Sequence, residues 1–334
     1  MSSADFLSHV SPGEDLKLPP LGAVPERVHV FDRDSILAVR AAHASRRPLL
    51  VRGEPGTGKS QLAHAVSVAT SRVLVTHVVT GRTEPSDLLW RYDSVARLAR
   101  AQSIGPRMTQ GDPIDVDAEM AESEFVTPGP LWWAFDWASA SDRAPEPQQY
   151  PGADADRGAI LLIDEIDKAD ADVPNGLLEA LGDGQFVPYG QPKPVCMSAD
   201  RAPLVIVTTN EERALPDAFL RRCLVLRLEL PNEREAFVTL LAERGALHCP
   251  KVDHQARRAA AEMLWEDRSV VRDAGLSPPG QAEYLDLLRA LVALAPTKAK
   301  RADLLRELGR FTFRKHPREQ VTYPAERAKD EAGA

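Results

Sequence analysis

The chain has 334 residues, of which 43% are apolar and 27% are charged, a composition typical of a globular protein with a substantial core. The length leaves room for two domains. A net charge of −8 disfavours general binding to nucleic acid or to anionic membrane surfaces.

The N-terminal residues 1–27 are rich in proline and glycine and show little periodicity, which predicts an extended arm. They lack the basic and apolar regions of a secretory signal, and no apolar run in the chain reaches 18 residues. We therefore expect a cytoplasmic protein that does not enter a membrane. The three cysteines, at positions 196, 223 and 249, are far apart and are expected to be free thiols.

Residues 28–230 alternate between apolar strands and amphipathic helices. A strand over 48–51 leads through a glycine-rich turn into a helix over 59–70, followed by a strand over 72–80 and a helix over 85–102. Strands over 159–167, 203–210 and 224–230 continue the alternation, with a helix over 171–184 and a hairpin over 185–198 between them. This order predicts an α/β fold, a three-layer αβα sandwich with a parallel sheet.

The alternation is interrupted at about 104–158, which predicts an insert in this domain. Its acidic run, 111–124, is expected to be a solvated loop. The following stretch is aromatic (Phe125, Trp132, Trp133, Phe135 and Trp137). These side chains could pack the insert in a small satellite core, or they could line a pore or grip a partner. After residue 230 the pattern is helical over 231–314, which predicts a small all-α lid domain followed by a polar tail, 315–334.

The stretch "GEPGTGKS" (residues 53–60) fits the pattern G-x-x-x-x-G-K-[ST] between a strand and a helix. Backbone N–H groups of such a loop surround a phosphate chain, so ATP is the expected ligand. Lys59 is predicted to reach the β- and γ-phosphates, and the Ser60 hydroxyl to bind Mg²⁺. The predicted nucleotide-binding residues are Gly53, Glu54, Pro55, Gly56, Thr57, Gly58, Lys59, Ser60 and Gln61.

A second set of polar residues follows the apolar strand in "AILLIDEID" (residues 159–167). Its carboxylates should emerge at the carboxyl edge of the sheet, where open α/β folds bind ligands. Asp164 is predicted to hold Mg²⁺ and Glu165 to act as general base toward an attacking water, which favours hydrolysis over phosphoryl transfer. Asp167 and Lys168 are read as a helix cap and its solvated partner. Thr208, Thr209 and Asn210 end the next buried strand, where Asn210 could orient the lytic water.

In this order the motifs resemble those of the AAA+ ATPases, and among them the MoxR-type or dynein-related branch. The resemblance rests on "GEPGTGKS", "LLIDEIDKAD", "VTTNEERALPDAFLRRC" and the insert element "FVTPGPLWWAF". It implies a homo-oligomeric ring, a hexamer in most relatives, that remodels a protein partner, with a von Willebrand factor A-type protein as a plausible one. It assigns Asn210 as first sensor and Arg222 as the arginine finger that enters the neighbour's site, with Arg221 as the alternative. A salt bridge is the other interpretation of the two arginines.

One position departs from the resemblance. In "LSPPGQAEYLDLLRAL" (276–291), Pro279 stands where such lids carry a second-sensor arginine. Either Arg272 or another lid residue substitutes for it, or the lid is coupled less tightly to the nucleotide. The leading hypothesis is a Mg-dependent ATPase that works as a MoxR-like chaperone or motor. The alternative is an assembly switch controlled by ATP, with slow turnover.

Overall fold

The computed structural model describes residues 6–109, 115–295, 298–317, 321 and 323. The chain forms two compact units: Met1–Arg52 with Ser60–Leu226, and Gly53–Lys59 with Arg227–Ala334. The phosphate loop is thus grouped with the C-terminal helices, although it is continuous in sequence with the first unit.

The first unit contains eleven strands and eight helices within its described residues. The strands are β1 (Asp15–Leu18), β2 (Arg27–Val30), β3 (Leu49–Arg52), β4 (Arg72–Val78), β5 (Trp90–Tyr92), β6 (Val126–Pro128), β7 (Asp154–Asp164), β8 (Gln185–Phe186), β9 (Val195–Cys196), β10 (Leu204–Thr209) and β11 (Leu224–Arg227). The helices are α1 (Arg33–Ser45), α2 (Lys59–Thr70), α3 (Ser94–Thr109), α4 (Val116–Glu119), α5 (Pro130–Phe135), α6 (Trp137–Ser141), α7 (Asp172–Asp183) and α8 (Asp217–Arg222). The last residue of β11, Arg227, and the first residue of α2, Lys59, are assigned to the second unit.

The central sheet has the order β11-β3-β10-β7-β4, and β10 is parallel to both of its neighbours. β4 is also parallel to β7. Every residue from Leu204 to Thr209 is buried, because a central strand with helices on both faces has no solvent side. The sheet and its flanking helices confirm the predicted α/β sandwich.

The N-terminal segment differs from the extended arm predicted for 1–27. β1 pairs with β2 in an antiparallel ribbon, and Phe6 and Leu7 are each only 1% exposed. The Phe6 ring stacks on His43 at a centroid distance of 3.8 Å, and the Arg72 guanidinium lies over the same ring. Proline and glycine thus mark turns here rather than a detached arm.

The predicted helix over 85–102 is interrupted. Pro85–Leu88 form one 3₁₀ turn, β5 follows, and α3 begins only at Ser94. β5 pairs with β6, which lies more than thirty residues further along the chain in the insert. This pairing overrides the local helical pattern, and short-range periodicity cannot reveal it.

The aromatic stretch of the insert packs into the main core of the first unit. Trp132 is 2% exposed and Trp133 is 6% exposed, and both join the cluster built on the sheet strands. Trp132 also donates from Nε1 to Ser139 Oγ at 2.8 Å. These side chains therefore serve packing, in the main core rather than in a satellite core. In the acidic run, 115–124 includes exposed residues such as Asp115, Asp117 and Glu124, while 111–114 lie outside the described residues.

The described residues of the second unit form four further helices: α9 (Arg234–His248), α10 (His254–Asp273), α11 (Gln281–Leu294) and α12 (Lys298–Thr312). Their apolar faces form one core that includes Phe237, Leu264, Tyr284 and Leu288. In the segment predicted as a polar tail, Val321 and Tyr323 are buried beside Val271, and most of the remaining tail lies outside the described residues. No helix in the described part of the chain is both long and apolar enough to span a bilayer.

Candidate functional site

The phosphate loop folds its lysine back onto its own backbone. Lys59 Nζ donates to the carbonyl oxygens of Gly53 at 2.7 Å and Glu54 at 2.9 Å. Thr57 Oγ1 also donates to the Glu54 carbonyl, at 2.9 Å. Lys59 is only 7% exposed. Its ammonium group is therefore held by the backbone of the loop that the sequence pattern predicts.

Two glycines of this loop are required by its shape. Gly53 has φ 148° and Gly56 has φ 76°, values that side-chain-bearing residues rarely adopt. A Cβ atom on Gly53 would lie 2.3 Å from the Leu228 carbonyl oxygen, and one on Gly56 would lie 2.8 Å from the Ala282 Cβ. The loop thus needs glycine both for its backbone and for its close contacts.

In the first unit, Asp164 gathers two hydroxyl groups. Ser60 Oγ donates to Asp164 Oδ1 at 2.8 Å, and Thr208 Oγ1 donates to the same oxygen. Thr208 Oγ1 in turn accepts from the Glu165 backbone N at 2.9 Å. Thr208 therefore links the ends of β7 and β10 and fixes the acid pair, a role that sequence analysis did not assign to it.

Glu165 leaves the strand with a left-handed backbone, φ 60° and ψ 47°. Its carboxylate accepts a hydrogen bond from Lys168 Nζ, and both side chains are partly exposed. The hydrogen bond to Glu165 is the main cause that raises the pKa of Lys168. The predicted base is thus ion-paired in this state, and Lys168 is its partner.

Asp167 does not cap its own helix as predicted. It is 1% exposed, and its carboxylate accepts from the backbone N of Asn210 at 3.4 Å and of Glu212 at 3.0 Å. The physical reason is that the buried Asp167 carboxylate needs hydrogen-bond donors, and the backbone N–H groups beyond the end of β10 supply them. Asp167 thereby anchors the segment that carries Asn210.

The carboxyl edge of the sheet brings together Ser60, Asp164, Glu165 and Asn210 as expected. Val207 of β10 lies opposite Ile163 of β7 in the parallel register, so the polar residues after both strands reach the same edge. Gln61, predicted to bind nucleotide, instead donates from Nε2 to the Val28 carbonyl at 2.7 Å.

One turn further along α2, His64 Nδ1 lies 2.8 Å from the Tyr150 hydroxyl. Burial and then the charge of Arg27 lower the pKa of His64 to about 4, against a smaller opposing effect of Asp164. A neutral histidine at physiological pH therefore ties α2 to the segment before β7.

The two arginines at the end of α8 are exposed. No ion pair joins either side chain to another residue in the described ranges. Their backbone carbonyls are engaged: Arg47 Nε donates to Arg222 O at 2.9 Å, and Arg47 Nη2 donates to Arg221 O. Arg47, which lies just before β3, thus caps the C-terminal end of α8. The sequence did not predict this contact.

In the second unit, Pro279 stands at the second-sensor position, and Arg272, the substitute named for it, forms no ion pair or hydrogen bond with the phosphate loop among the described residues. Pro279 contributes its carbonyl, which accepts from Arg268 Nη1 at 2.9 Å, and Arg272 Nη1 donates to Asn232 Oδ1 at 3.2 Å. Arg268 itself forms an ion pair with Glu54 of the loop. A signal was present in the sequence: Arg268 falls on the apolar face of α10, in register with Leu264 and Val271.

Comparison with known proteins identifies one family. The family described as AAA domain (dynein-related subfamily) matches residues 48–223, more than half of the chain. A solved structure from Cytophaga hutchinsonii, a proposed ATPase, is 14% identical, with 89% of this chain and 83% of that chain covered and a TM-score of 0.35. No curated protein sequence matches the chain.

Proposed function

From the premise that the chain belongs to the dynein-related subfamily of AAA domains, we propose that it binds ATP with Mg²⁺ and hydrolyses it to ADP and phosphate. The observation that carries this proposal is the hydrogen bond from the Ser60 hydroxyl to Asp164, at 2.8 Å. Ser60 directly follows Lys59, the lysine of the phosphate loop, in the sequence. A hydroxyl and a carboxylate at this spacing are the oxygen donors that Mg²⁺ prefers when phosphates complete its shell.

The residues fit a bound triphosphate. Glycines with positive φ shape the loop, and Lys59 is the cation within it. When ATP binds, we expect Lys59 to exchange the carbonyls of Gly53 and Glu54 for phosphate oxygens, which are stronger acceptors. Ser60 and Asp164 would hold Mg²⁺, which when bound neutralises charge that develops on the phosphates.

Glu165 would then take the proton from the attacking water. Its present partner, Lys168, is partly exposed, so the ion pair can open at little cost. Asn210, held through its backbone by Asp167, would orient that water. Lys59 supplies charge on one side of the phosphates, and Arg222, with Arg221 as the alternative, would supply it from a neighbouring subunit.

Such a neighbour implies a homo-oligomeric ring, and we propose a hexamer that remodels or assembles a protein partner, as a MoxR-like chaperone or motor. A von Willebrand factor A-type protein is the partner class that this branch of the family supports. The Glu165–Lys168 ion pair also favours a second candidate, an ATP-controlled assembly switch with slow turnover. Turnover that stays slow at saturating partner, with ATP-dependent assembly intact, would select the switch.

The substitution Glu165→Gln tests the proposed chemistry. It removes the base but keeps the shape of the side chain, so turnover should fall by about 10²- to 10⁴-fold while ATP binding persists. Turnover is measured by phosphate release and binding by titration with a fluorescent ATP analogue. Lys59→Ala is the matched control, because it should abolish binding itself. Hydrolysis by Glu165→Gln at the wild-type rate would contradict the assignment of Glu165.

A further inference from the structure

Arg268 is a buried arginine that faces the phosphate loop within the second unit. Its side chain is 4% exposed, although it belongs to the apolar face of α10 together with Leu264 and Val271. A buried guanidinium is costly unless its charge and its donors are satisfied. Arg268 meets this need with the Pro279 carbonyl, with the Glu54 carboxylate, and with the face of the Phe237 ring at 5.8 Å.

Glu54 is the acidic side chain of the phosphate loop, the one carboxylate in "GEPGTGKS". Its backbone carbonyl accepts from Lys59 and Thr57, so its position is tied to the two residues that shape the phosphate-binding turn. A carboxylate in this position would repel a triphosphate, because like charges a few ångströms apart in a partly buried site interact strongly. The ion pair with Arg268 offsets that repulsion.

The backbone around the start of α11 packs closely on the same loop. A Cβ atom on Gly280 would lie 2.9 Å from the Pro55 carbonyl oxygen, and one on Gly56 would lie 2.8 Å from the Ala282 Cβ. The Pro279 carbonyl that orients Arg268 directly precedes this contact. The position of the guanidinium is therefore fixed from the loop side and from the lid side at once.

We propose that Arg268 is a positioning residue for nucleotide binding, which neutralises Glu54 and holds it away from the phosphates. It acts through Glu54 and does not itself bind phosphate. The inference rests on the proposed function, since it takes the phosphate chain of ATP or ADP as the ligand of the loop. It also gives the helical lid a role in nucleotide binding, although Pro279 stands in place of the second-sensor arginine.

A double-substitution cycle tests this proposal. Arg268→Met keeps an unbranched side chain in the buried position but leaves the Glu54 charge uncompensated, so the Kd for a fluorescent ADP derivative should rise about tenfold. Glu54→Gln should bind ADP at least as tightly as the wild type. The combined variant should return to within about twofold of the wild-type Kd, because the charge that Arg268 offsets is gone.

Arg258→Met is the matched control, since Arg258 lies on the same helix and pairs with Glu235 away from the loop; its Kd should not change. In ATP hydrolysis, Arg268→Met should raise KM and change kcat by no more than about twofold, because the loss is one of binding. A purely structural role would instead lower kcat in proportion to the loss of folded protein.

Three results would overturn the proposal: an unchanged Kd for Arg268→Met, no rescue in the combined variant, or weaker binding by Glu54→Gln. Failure of rescue would mean that Arg268 contacts phosphate directly. If Arg268→Met does not fold, Glu54→Gln alone decides. Failure of the wild-type protein to bind ADP would instead refute the proposed function, so the two failures are distinguishable.

Discussion

The carboxyl edge of the sheet and the C-terminal end of α8 differ in whether their charged side chains have partners. At the edge, Asp164 accepts from two hydroxyls, Glu165 from Lys168, and Asp167 from two backbone N–H groups. At the end of α8, the two arginines are exposed and make no ion pair with any residue in the described part of the chain. Arg47 holds only their backbone carbonyls.

The difference indicates where the proposed catalytic centre is complete and where it is not. One chain supplies the acids, the hydroxyls and the lysine, all held by contacts within that chain. At the end of α8 the backbone is held by Arg47, whereas the guanidinium groups form no ion pair with the described residues. A rigid backbone that presents two free guanidinium groups is what a residue acting on a neighbouring subunit requires. We therefore regard the proposed oligomer as part of the site itself.

The largest effect on turnover is expected at α8. Arg222→Ala should lower turnover by about 10³- to 10⁵-fold and leave ATP binding intact, as for an arginine finger. A surface salt bridge would contribute only about 1 kcal/mol of stability. Arg221→Ala should have the smaller effect, and phosphate release with a parallel binding titration separates the two residues. Near-wild-type turnover in both variants would refute the finger.

A smaller effect is expected at Arg47, which fixes the end of α8 without entering any site. Arg47→Met should lower turnover by about tenfold, because a misplaced group costs less than a missing one. ATP affinity should be unchanged. Arg46→Met is the control, since Arg46 precedes it in the chain and donates to Ala199 O instead. An equal loss in both variants would show that α8 does not depend on Arg47.

The smallest effect concerns pH and the helix behind the edge. Burial lowers the pKa of His64 to about 4 from an ordinary 6.5, so the unfolded chain takes up this proton first as the pH falls. The contribution to stability is therefore fully present above about pH 6.5 and is lost as the pH falls toward 4. Because His64 is partly exposed, we expect a loss of about 1 kcal/mol.

Urea unfolding of the wild type at pH 7 and pH 4.5 measures the total loss, to which His43, also lowered to a pKa of about 4 by burial, contributes. His64→Gln should remove part of that pH dependence, and Arg222→Ala should retain all of it. If His64→Gln showed the full wild-type pH dependence, the histidine would have no part in it.

The sequence predicted the place of candidate residues in the fold where that place depends on neighbours in the chain. The acid pair directly follows an apolar strand, so its place at the edge of the sheet could be derived from local pattern. The contacts of Thr208, Asp167 and Arg268 could not be predicted, because their partners lie 43 to 214 residues away in the sequence. The helix predicted over 85–102 failed for the same reason, since β5 pairs with a strand of the insert.

Completion of the site by a second subunit can be tested by mixing two inactive proteins. One carries Lys59→Ala, with a defective pocket and intact arginines, and the other carries Arg221→Ala with Arg222→Ala, with an intact pocket and no finger. In a ring mixed at equal ratio, about a quarter of the interfaces would join a good pocket to good arginines. We predict that hydrolysis reappears on mixing and peaks near equal ratio. No activity at any ratio, in mixtures shown to co-assemble, would contradict it.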